Sequence, residues 1–164
     1  MTEALVLLDN TVLSNFALVQ QPALVIRVCL GRACTTAAAR AEHEAAVEKG
    51  LLRANLWSDL PIIELTEDEV QLVETLPARL GPGERTCLAV AIRRGGVVAT
   101  DDLSARQLAR RQGVRITGTL GILLLTVTAG EVSVDQANAF LAEMVATGYR
   151  SPVESLEVLL RADY

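Results

Sequence analysis

The stretch Ala4-Leu5-Val6-Leu7-Leu8-Asp9-Asn10 consists of five apolar residues followed by two polar ones. An unbroken apolar run of this length is typical of a strand that is buried on both faces of a parallel sheet. A similar run, Val97-Val98-Ala99-Thr100, is followed by Asp101-Asp102. If the two strands are neighbours, Asp9, Asp101 and Asp102 meet beyond the carboxyl ends of the sheet, where such folds bind their ligands.

Helices are predicted between these strands, and residues 61–65 and 114–117 predict two further short strands. Strands that alternate with helices predict the α/β class, as a three-layer α/β/α sandwich around a central, mostly parallel sheet. The length is that of a single domain, residues 1–164. The predicted helices cover residues 11–19, 22–30, 36–49, 66–79, 84–94, 102–112, 119–128, 133–147 and 152–160.

The composition favours a globular protein with an aliphatic core, because hydrophobic residues make up 51% of the chain and aromatic residues only 3%. Glu3 stands where a secretory signal would carry a basic residue, and the apolar runs are too short to span a bilayer. We therefore expect a soluble, cytoplasmic protein with no membrane contact. The cysteines at 29, 34 and 87 have no second Cys or His pair to complete a zinc site and are predicted to be buried thiols.

Positive charge is concentrated in one part of an acidic chain. The formal net charge is −5, yet residues 79–115 carry eight arginines against Glu84, Asp101 and Asp102. A polyanion such as a nucleic acid would meet this basic segment first. A solvated helix surface is the alternative explanation for any single arginine.

The acidic residues have both a structural and a catalytic interpretation. Singly, Asp9, Asp101 or Asp102 could cap the helix that follows, and Glu84 could interact with the dipole of its own helix. Consecutive acids need only one cap, however, and several carboxylates at one sheet edge repel each other unless a cation is present. Carboxylate oxygens suit Mg²⁺, and one or two such ions could activate water for the displacement of a phosphodiester.

Other catalytic schemes are poorly supported. The only histidine, His43, lies in a helix rich in Ala and Glu and is predicted to be at the surface, so a Ser–His–Asp or Cys–His site lacks a base. Gly81-Pro82-Gly83 does not have the pattern of a phosphate-cradling loop. A phosphatase with an acidic nucleophile would need a second Asp where Thr11 stands.

Several segments, in this order along nearly the whole chain, resemble the PIN-domain family, and within it the subgroup described as predicted nucleic-acid-binding PIN proteins. This resemblance implies a Rossmann-like α/β/α sandwich that cuts single-stranded or structured RNA with Mg²⁺ or Mn²⁺. The resemblance also extends to the toxin ribonucleases of type II toxin–antitoxin systems. The segments are Leu8-Asp9-Asn10-Thr11-Val12-Leu13-Ser14-Asn15-Phe16, Gly83-Glu84-Arg85-Thr86-Cys87-Leu88-Ala89, Ala99-Thr100-Asp101-Asp102-Leu103-Ser104-Ala105-Arg106, Gly118-Thr119-Leu120-Gly121-Ile122-Leu123 and Gly148-Tyr149-Arg150-Ser151-Pro152.

The resemblance also implies roles for individual residues. Asp9 matches the first acid of the family, and Glu84 matches the acid that opens the central helix. Asp102 matches the acid two positions after Thr100, with Asp101 as the competing choice. Asp9, Glu84 and Asp102 are therefore the expected metal ligands. Small polar residues nearby are expected to orient these carboxylates; they are Thr11, Ser14, Asn15 and Thr100.

One acid of the family transfers less well. The family has a Glu on the helix after its second strand, commonly preceded by Pro and Val. Residues 36–44 contain Glu42 at the fitting spacing and Glu44 nearby, but the Pro and Val are absent. Glu42 is included among the candidate catalytic residues, and an ordinary solvated helix acid is the alternative.

Together these features predict a metal-dependent endoribonuclease, with the toxin of a toxin–antitoxin pair as the narrower expectation. Arg85, Arg106 and Arg110 are the candidates for binding the RNA backbone. An antitoxin protein and a second copy in a homodimer are the other expected partners. The alternative is a PIN fold with weak or no catalysis that binds RNA or a protein partner.

Overall fold

A five-stranded parallel sheet forms the centre of the protein in a computed structural model that describes residues 3–162. Its strands are β1 (Val6–Leu8), β2 (Ala33–Thr36), β3 (Ile62–Ile63), β4 (Val97–Ala99) and β5 (Arg115–Thr117). They lie in the order β3-β2-β1-β4-β5, and each neighbouring pair is parallel. The central β1 pairs with β4 over its whole length, so the prediction that these two strands are neighbours is confirmed.

Helices cover both faces of the sheet, which confirms the predicted α/β/α sandwich. Alternate residues of a strand point to opposite faces, and Leu8 and Leu7 accordingly belong to two separate hydrophobic clusters, one on each face of the sheet. The helices are α1 (Asn10–Leu18), α2 (Pro22–Val28), α3 (Ala37–Glu48), α4 (Glu67–Thr75), α5 (Pro82–Arg94), α6 (Leu103–Arg111), α7 (Thr119–Thr128), α8 (Val134–Ala146) and α9 (Glu157–Leu160).

The strand β2 is not predicted by the sequence pattern, because Ala33-Cys34-Thr35-Thr36 lacks the Val and Leu content of the other buried strands. All four residues are buried, and hydrogen bonds to β1 and β3 hold them in the extended conformation. The Thr35 hydroxyl donates a hydrogen bond of 2.7 Å to the carbonyl of Leu8. Thr36 then caps α3, since its hydroxyl accepts from the Ala39 N–H. This strand places α3 beside the carboxyl end of β1.

The prediction of a helix over residues 152–160 is wrong in its first half, because only α9 is helical there. The Ser151 hydroxyl accepts from the Val153 N–H and donates to the carbonyl of the same residue, a local arrangement that competes with helix formation. The side chain of Asn138 on α8 then accepts from the Leu156 N–H at 2.8 Å. This segment is therefore held against α8 by side-chain contacts.

The helix α4 begins as predicted and ends early. Thr66 and Glu69 form the predicted capping box, with both of its hydrogen bonds present. The helix ends at Thr75 and not at residue 79, because Leu76 precedes Pro77 and adopts the extended conformation that such a position favours.

The three cysteines are buried and not disulfide-bonded, which confirms their prediction as buried thiols. Burial raises the pKa of the Cys34 thiol to about 11, so it is un-ionised at neutral pH. Between residues 3 and 162, no helix combines the length and the apolar character needed to cross a membrane.

Candidate metal centre

Three carboxylates converge at the carboxyl end of β1. Asp9, Glu42 and Glu84 each offer one oxygen, and these oxygens all lie within 4.8 Å of one another. Asp9 follows β1, Glu42 lies in the middle of α3, and Glu84 lies in the first turn of α5. The sequence predicts that Asp9 and Glu84 share a site but leaves Glu42 open, and the geometry brings Glu42 to them.

Asp9 is the buried member of this acidic triad, with 0% of its surface exposed. Its backbone N–H donates to the carbonyl of Ala99 at 3.0 Å, which continues the pairing of β1 with β4. One carboxylate oxygen accepts from the Asn10 N–H at 2.7 Å, and the other accepts from the Thr100 hydroxyl at 2.8 Å. Burial, helped by the negative charge of Glu84, nevertheless raises the pKa of Asp9 to about 7. A nearby cation would offset this cost of burying charge.

Glu42 is held in place by the start of α5. The N–H of Gly83 donates to Oε1 of Glu42 at 2.8 Å. A Cβ atom on residue 83 would lie 2.9 Å and 3.0 Å from the two carboxylate oxygens of Glu42, and 3.1 Å from the Cα of Ala39. Glycine is therefore required for this approach of α5 to α3. The glycines of Gly81-Pro82-Gly83, which do not form a phosphate-cradling loop, are the signal in the sequence for this contact.

Glu84 has one carboxylate oxygen that forms no hydrogen bond to the described residues. Its Oε2 is buried and has no hydrogen-bond partner among residues 3–162. Burial raises the pKa of this carboxyl group, and the charges of Glu42 and Asp102 raise it further against the opposing effect of its own backbone N–H. A buried, unpartnered carboxylate oxygen beside two other carboxylates is a donor set that suits a hard divalent cation. The residues of the triad therefore fit Mg²⁺ or Mn²⁺.

Asp102 lies next to this triad and also caps a helix. One of its oxygens accepts from the N–H of Ala105 at 2.7 Å, which makes Asp102 the N-cap of α6. Its other oxygen makes no hydrogen bond to the described part of the chain, and its charge is close enough to raise the pKa of Glu84. Asp102 is not one of the three carboxylates within 4.8 Å of one another, so its role as a direct ligand stays a prediction.

Asp101 is directed into the fold by three hydrogen bonds. It accepts from the N–H and the hydroxyl of Thr119, at the start of α7, and from the side-chain amide of Asn15 on α1. These bonds tie α1 and α7 to the end of β4. Of the two consecutive acids, Asp102 therefore keeps an oxygen without a partner among the described residues, and the choice of Asp102 over Asp101 as a ligand stays a prediction.

We expect the two acids to respond differently to replacement by Asn. Asp102→Asn should change the free energy of unfolding little, because Asn is as good an N-cap as Asp, and should weaken the binding of Mn²⁺ because it removes a negative charge beside the triad. Asp101→Asn should lower the free energy of unfolding by about 2 kcal/mol, because it weakens charge-assisted hydrogen bonds. Urea unfolding and calorimetric titration with Mn²⁺ on both variants measure the two effects, and the reverse ranking would contradict the assignment.

Three of the four small polar residues predicted to support the site form hydrogen bonds to Asp9, Asp101 or Asp102, and Ser14 does not. The Thr100 hydroxyl donates to Asp9 and accepts from the Asp102 N–H at 3.1 Å, so it joins two of the acids. The Thr11 hydroxyl accepts from the Asp101 N–H at 3.0 Å. The Ser14 hydroxyl contacts no acid and donates to the side chain of Asn10 at 3.0 Å. Asn15, the fourth of them, donates to Asp101 as described above.

The prediction that His43 is at the surface is wrong, because only 1% of its surface is exposed. Ala39 and His43 are four residues apart and form the buried face of α3. Burial lowers the pKa of His43, so the imidazole is neutral. Its Nδ1 is buried without a hydrogen-bond partner in residues 3–162, and His43 is not a member of the acidic triad.

The three arginines predicted to bind nucleic acid occupy different environments. Arg106 donates from Nη1 to the carbonyls of Thr100 and Thr117 and so joins the ends of β4 and β5. Arg85 follows Glu84, is partly buried, and has an Nε atom that finds no partner within the described chain. Arg110 is exposed in the last turn of α6, at the opposite end from Asp102. Their contact with RNA stays a prediction.

A family model, DUF3368, described as a PIN domain, matches residues 5–163 of the chain. The match takes in all three acids of the triad and also Asp101 and Asp102. No curated protein matches the chain.

Proposed function

Because the chain belongs to the PIN-domain family, we propose that it is a metal-dependent endoribonuclease that hydrolyses phosphodiester bonds of RNA. The PIN domain is a nuclease fold, and the acidic triad is a candidate metal site on it. The single observation that carries the proposal is the buried oxygen of Glu84, which has no hydrogen-bond partner in the described part of the chain and lies beside Asp9 and Glu42. The choice of RNA rests on the resemblance of the sequence segments to PIN ribonucleases.

The proposed metal is Mg²⁺ or Mn²⁺, held by Asp9, Glu42 and Glu84 with Asp102 as an adjacent acid. When bound, such a cation supplies Lewis-acid chemistry and offsets negative charge on the phosphodiester. Thr100 and the Asn10 N–H fix the orientation of the Asp9 carboxylate, and the Gly83 N–H fixes that of Glu42.

Arginines beside the triad are proposed to hold the substrate. The partly buried Arg85 follows a triad member, and its Nε atom has no partner among residues 3–162, so its guanidinium is a candidate donor to a phosphate oxygen. Arg106 contributes its positive charge while its Nη1 joins the strand ends. Arg110 is proposed only for a longer RNA, because it lies at the distant end of α6.

The biological setting is a narrower proposal. We propose a toxin that acts in the cytoplasm and is inhibited by an antitoxin protein, with a homodimer as its assembly. The likeness to type II toxin ribonucleases supports this setting. Expression of the chain alone should stop the growth of the host cells, and expression of the triad variant Glu84→Gln should not. Equal growth of cells that express the two proteins would contradict the toxin role.

Cleavage of labelled RNA by the purified protein tests the proposed activity. We expect cleavage with Mg²⁺ or Mn²⁺ and none with EDTA. Glu42→Gln should lower the rate at least about tenfold, because it removes a ligand charge. The matched control is Glu44→Gln, since Glu44 pairs with Arg40 at 2.8 Å and lies outside the triad.

The opposite result would favour the non-catalytic alternative. If no RNA is cut with either metal, and calorimetry detects no binding of Mn²⁺, the chain is a PIN-fold module that binds RNA or a protein. If the Glu42 and Glu44 variants cleave equally well, Glu42 is an ordinary helix acid.

A further inference from the structure

Two cavities meet along one wall beside the acidic site. The larger is a groove of about 790 Å³, and the smaller has a volume of about 240 Å³. Both are lined by Asp101, Leu103, Tyr149 and Arg150, which we call the dividing wall. The larger groove has the size of a typical ligand site, and the smaller falls just below that range.

The larger groove is lined by sequence neighbours of the acidic triad and by the dividing wall, and none of the three triad residues lines it. Asn10, which follows Asp9, lines it, as do Ala46, one helical turn after Glu42, and Asp102. A strand whose phosphodiester lies at the triad would therefore extend into this groove, and its neighbouring nucleotides would reach the wall.

The end of α8 fixes the position of Tyr149. Gly148 has a φ of +120°, a conformation that residues with a side chain rarely adopt. The N–H groups of Gly148 and Tyr149 then donate to the carbonyls of Val145 and Met144. Tyr149 turns back onto the apolar core, where it is partly buried, and Arg150 remains exposed.

The dividing wall combines the aromatic ring of Tyr149, the apolar surface of Leu103 and the positive charge of Arg150. Burial and the charge of Asp101 raise the pKa of the Tyr149 phenol above its usual range, so the ring is neutral. Leu103 is 66% exposed although it is apolar. Arg150 forms no ion pair and no side-chain hydrogen bond with any described residue. Asp101, the fourth member of the wall, accepts three hydrogen bonds from Asn15 and Thr119, which direct its carboxylate towards those residues.

We propose that the dividing wall is a subsite for single-stranded RNA, in which Tyr149 and Leu103 contact one base and Arg150 binds the adjoining phosphate. Aromatic rings stack on unpaired bases without sequence preference, and a guanidinium suits phosphate oxygens. A duplex keeps its bases stacked inside and cannot offer one to the ring. This proposal rests on the proposed function for its substrate class and adds a contact outside the acidic triad.

Binding of fluorescein-labelled single-stranded RNA, measured by anisotropy in an Asp9→Asn background that prevents cleavage, tests the subsite. Tyr149→Leu should weaken the Kd about 5- to 100-fold, whereas Tyr149→Phe should keep it within about twofold. Arg150→Gln should reduce the slope of log Kd against log salt by about 0.7. The matched control is Arg27→Gln, an exposed arginine on α2 that lies outside the basic segment 79–115 and outside both cavities, and it should leave the Kd unchanged.

Each outcome separates the subsite from the catalytic proposal. If the wild type does not cleave RNA but the Tyr149 and Arg150 variants lose binding, the subsite stands and the nuclease proposal fails. If the wild type cleaves RNA but these variants bind as tightly as the Asp9→Asn parent, the subsite is wrong. Arg150→Gln alters an exposed side chain, so it still tests the subsite even if Tyr149→Leu does not fold. Equal binding of duplex RNA, or no binding of RNA at all, also overturns the subsite.

Discussion

Asp9→Asn is expected to lower the rate of RNA cleavage more than about 100-fold while the protein remains folded. Asp9 is the fully buried member of the triad, so no water-exposed group can take its place. Loss of residues that only orient metal ligands typically costs about 10- to 100-fold, and loss of a ligand should cost more. Cleavage of a labelled RNA under single-turnover conditions with saturating Mn²⁺ measures the effect.

The fold should tolerate this change because Asn keeps the two contacts of Asp9. Its side-chain oxygen can accept from the Asn10 N–H, and its amide can donate to the Thr100 hydroxyl. The matched control is Asp59→Asn, at an exposed position outside the triad. Cleavage by Asp9→Asn at the rate of this control would show that Asp9 is not needed, and circular dichroism would verify that both variants are folded.

The second large effect is expected in the stability of the protein without metal. The pKa of Asp9 is raised from 3.8 to about 7 on folding, so the folded protein holds this proton more tightly than the unfolded chain. The resulting stability is fully present below about pH 4 and is lost as the pH rises through about 7. A shift of this size corresponds to about 4 kcal/mol. In EDTA at pH 8, Asp9→Asn should therefore be more stable than the wild type by up to about 4 kcal/mol.

The comparison between the two proteins cancels the titrating groups that do not interact with Asp9, whereas Glu84, whose charge raises the pKa of Asp9, titrates together with it. Burial lowers the pKa of His43, so that residue acts in the opposite direction and favours the folded state as the pH rises. It is present in both proteins and cancels in their difference. Urea unfolding at pH 5 and pH 8 should show the advantage of the variant growing by about 3 kcal/mol. Mn²⁺ should stabilise the wild type more than the variant. If the difference in the free energy of unfolding between the two proteins does not change with pH, the raised pKa of Asp9 is contradicted.

The sequence predicts best the parts of the fold that carry long, one-sided patterns. The apolar runs that form β1 and β4 end at Asp9 and Thr100, and the structure places them side by side. The helix α7, apolar along most of its length, has the predicted bounds. These elements follow from local composition, because a buried strand or helix needs an apolar surface whatever its neighbours are.

The features that the sequence did not predict depend on contacts with residues that are distant along the chain. β2 is ordered by pairing with two strands and not by its own composition. His43 looks like a surface residue in its helix, and it is buried because another part of the chain covers that face of α3. Glu42 stayed undecided for the same reason, since its position is fixed by the N–H of Gly83, 41 residues away.

The shortness of β3 limits how other proteins can join this fold. This edge strand has two residues, and the opposite edge strand, β5, has three. Neither edge offers enough free N–H and C=O groups to template an added strand, which is the common route to intermolecular sheets. A second copy or an inhibitor would therefore have to bind through helices and loops, and the protein should resist the edge-to-edge stacking that leads to fibrils.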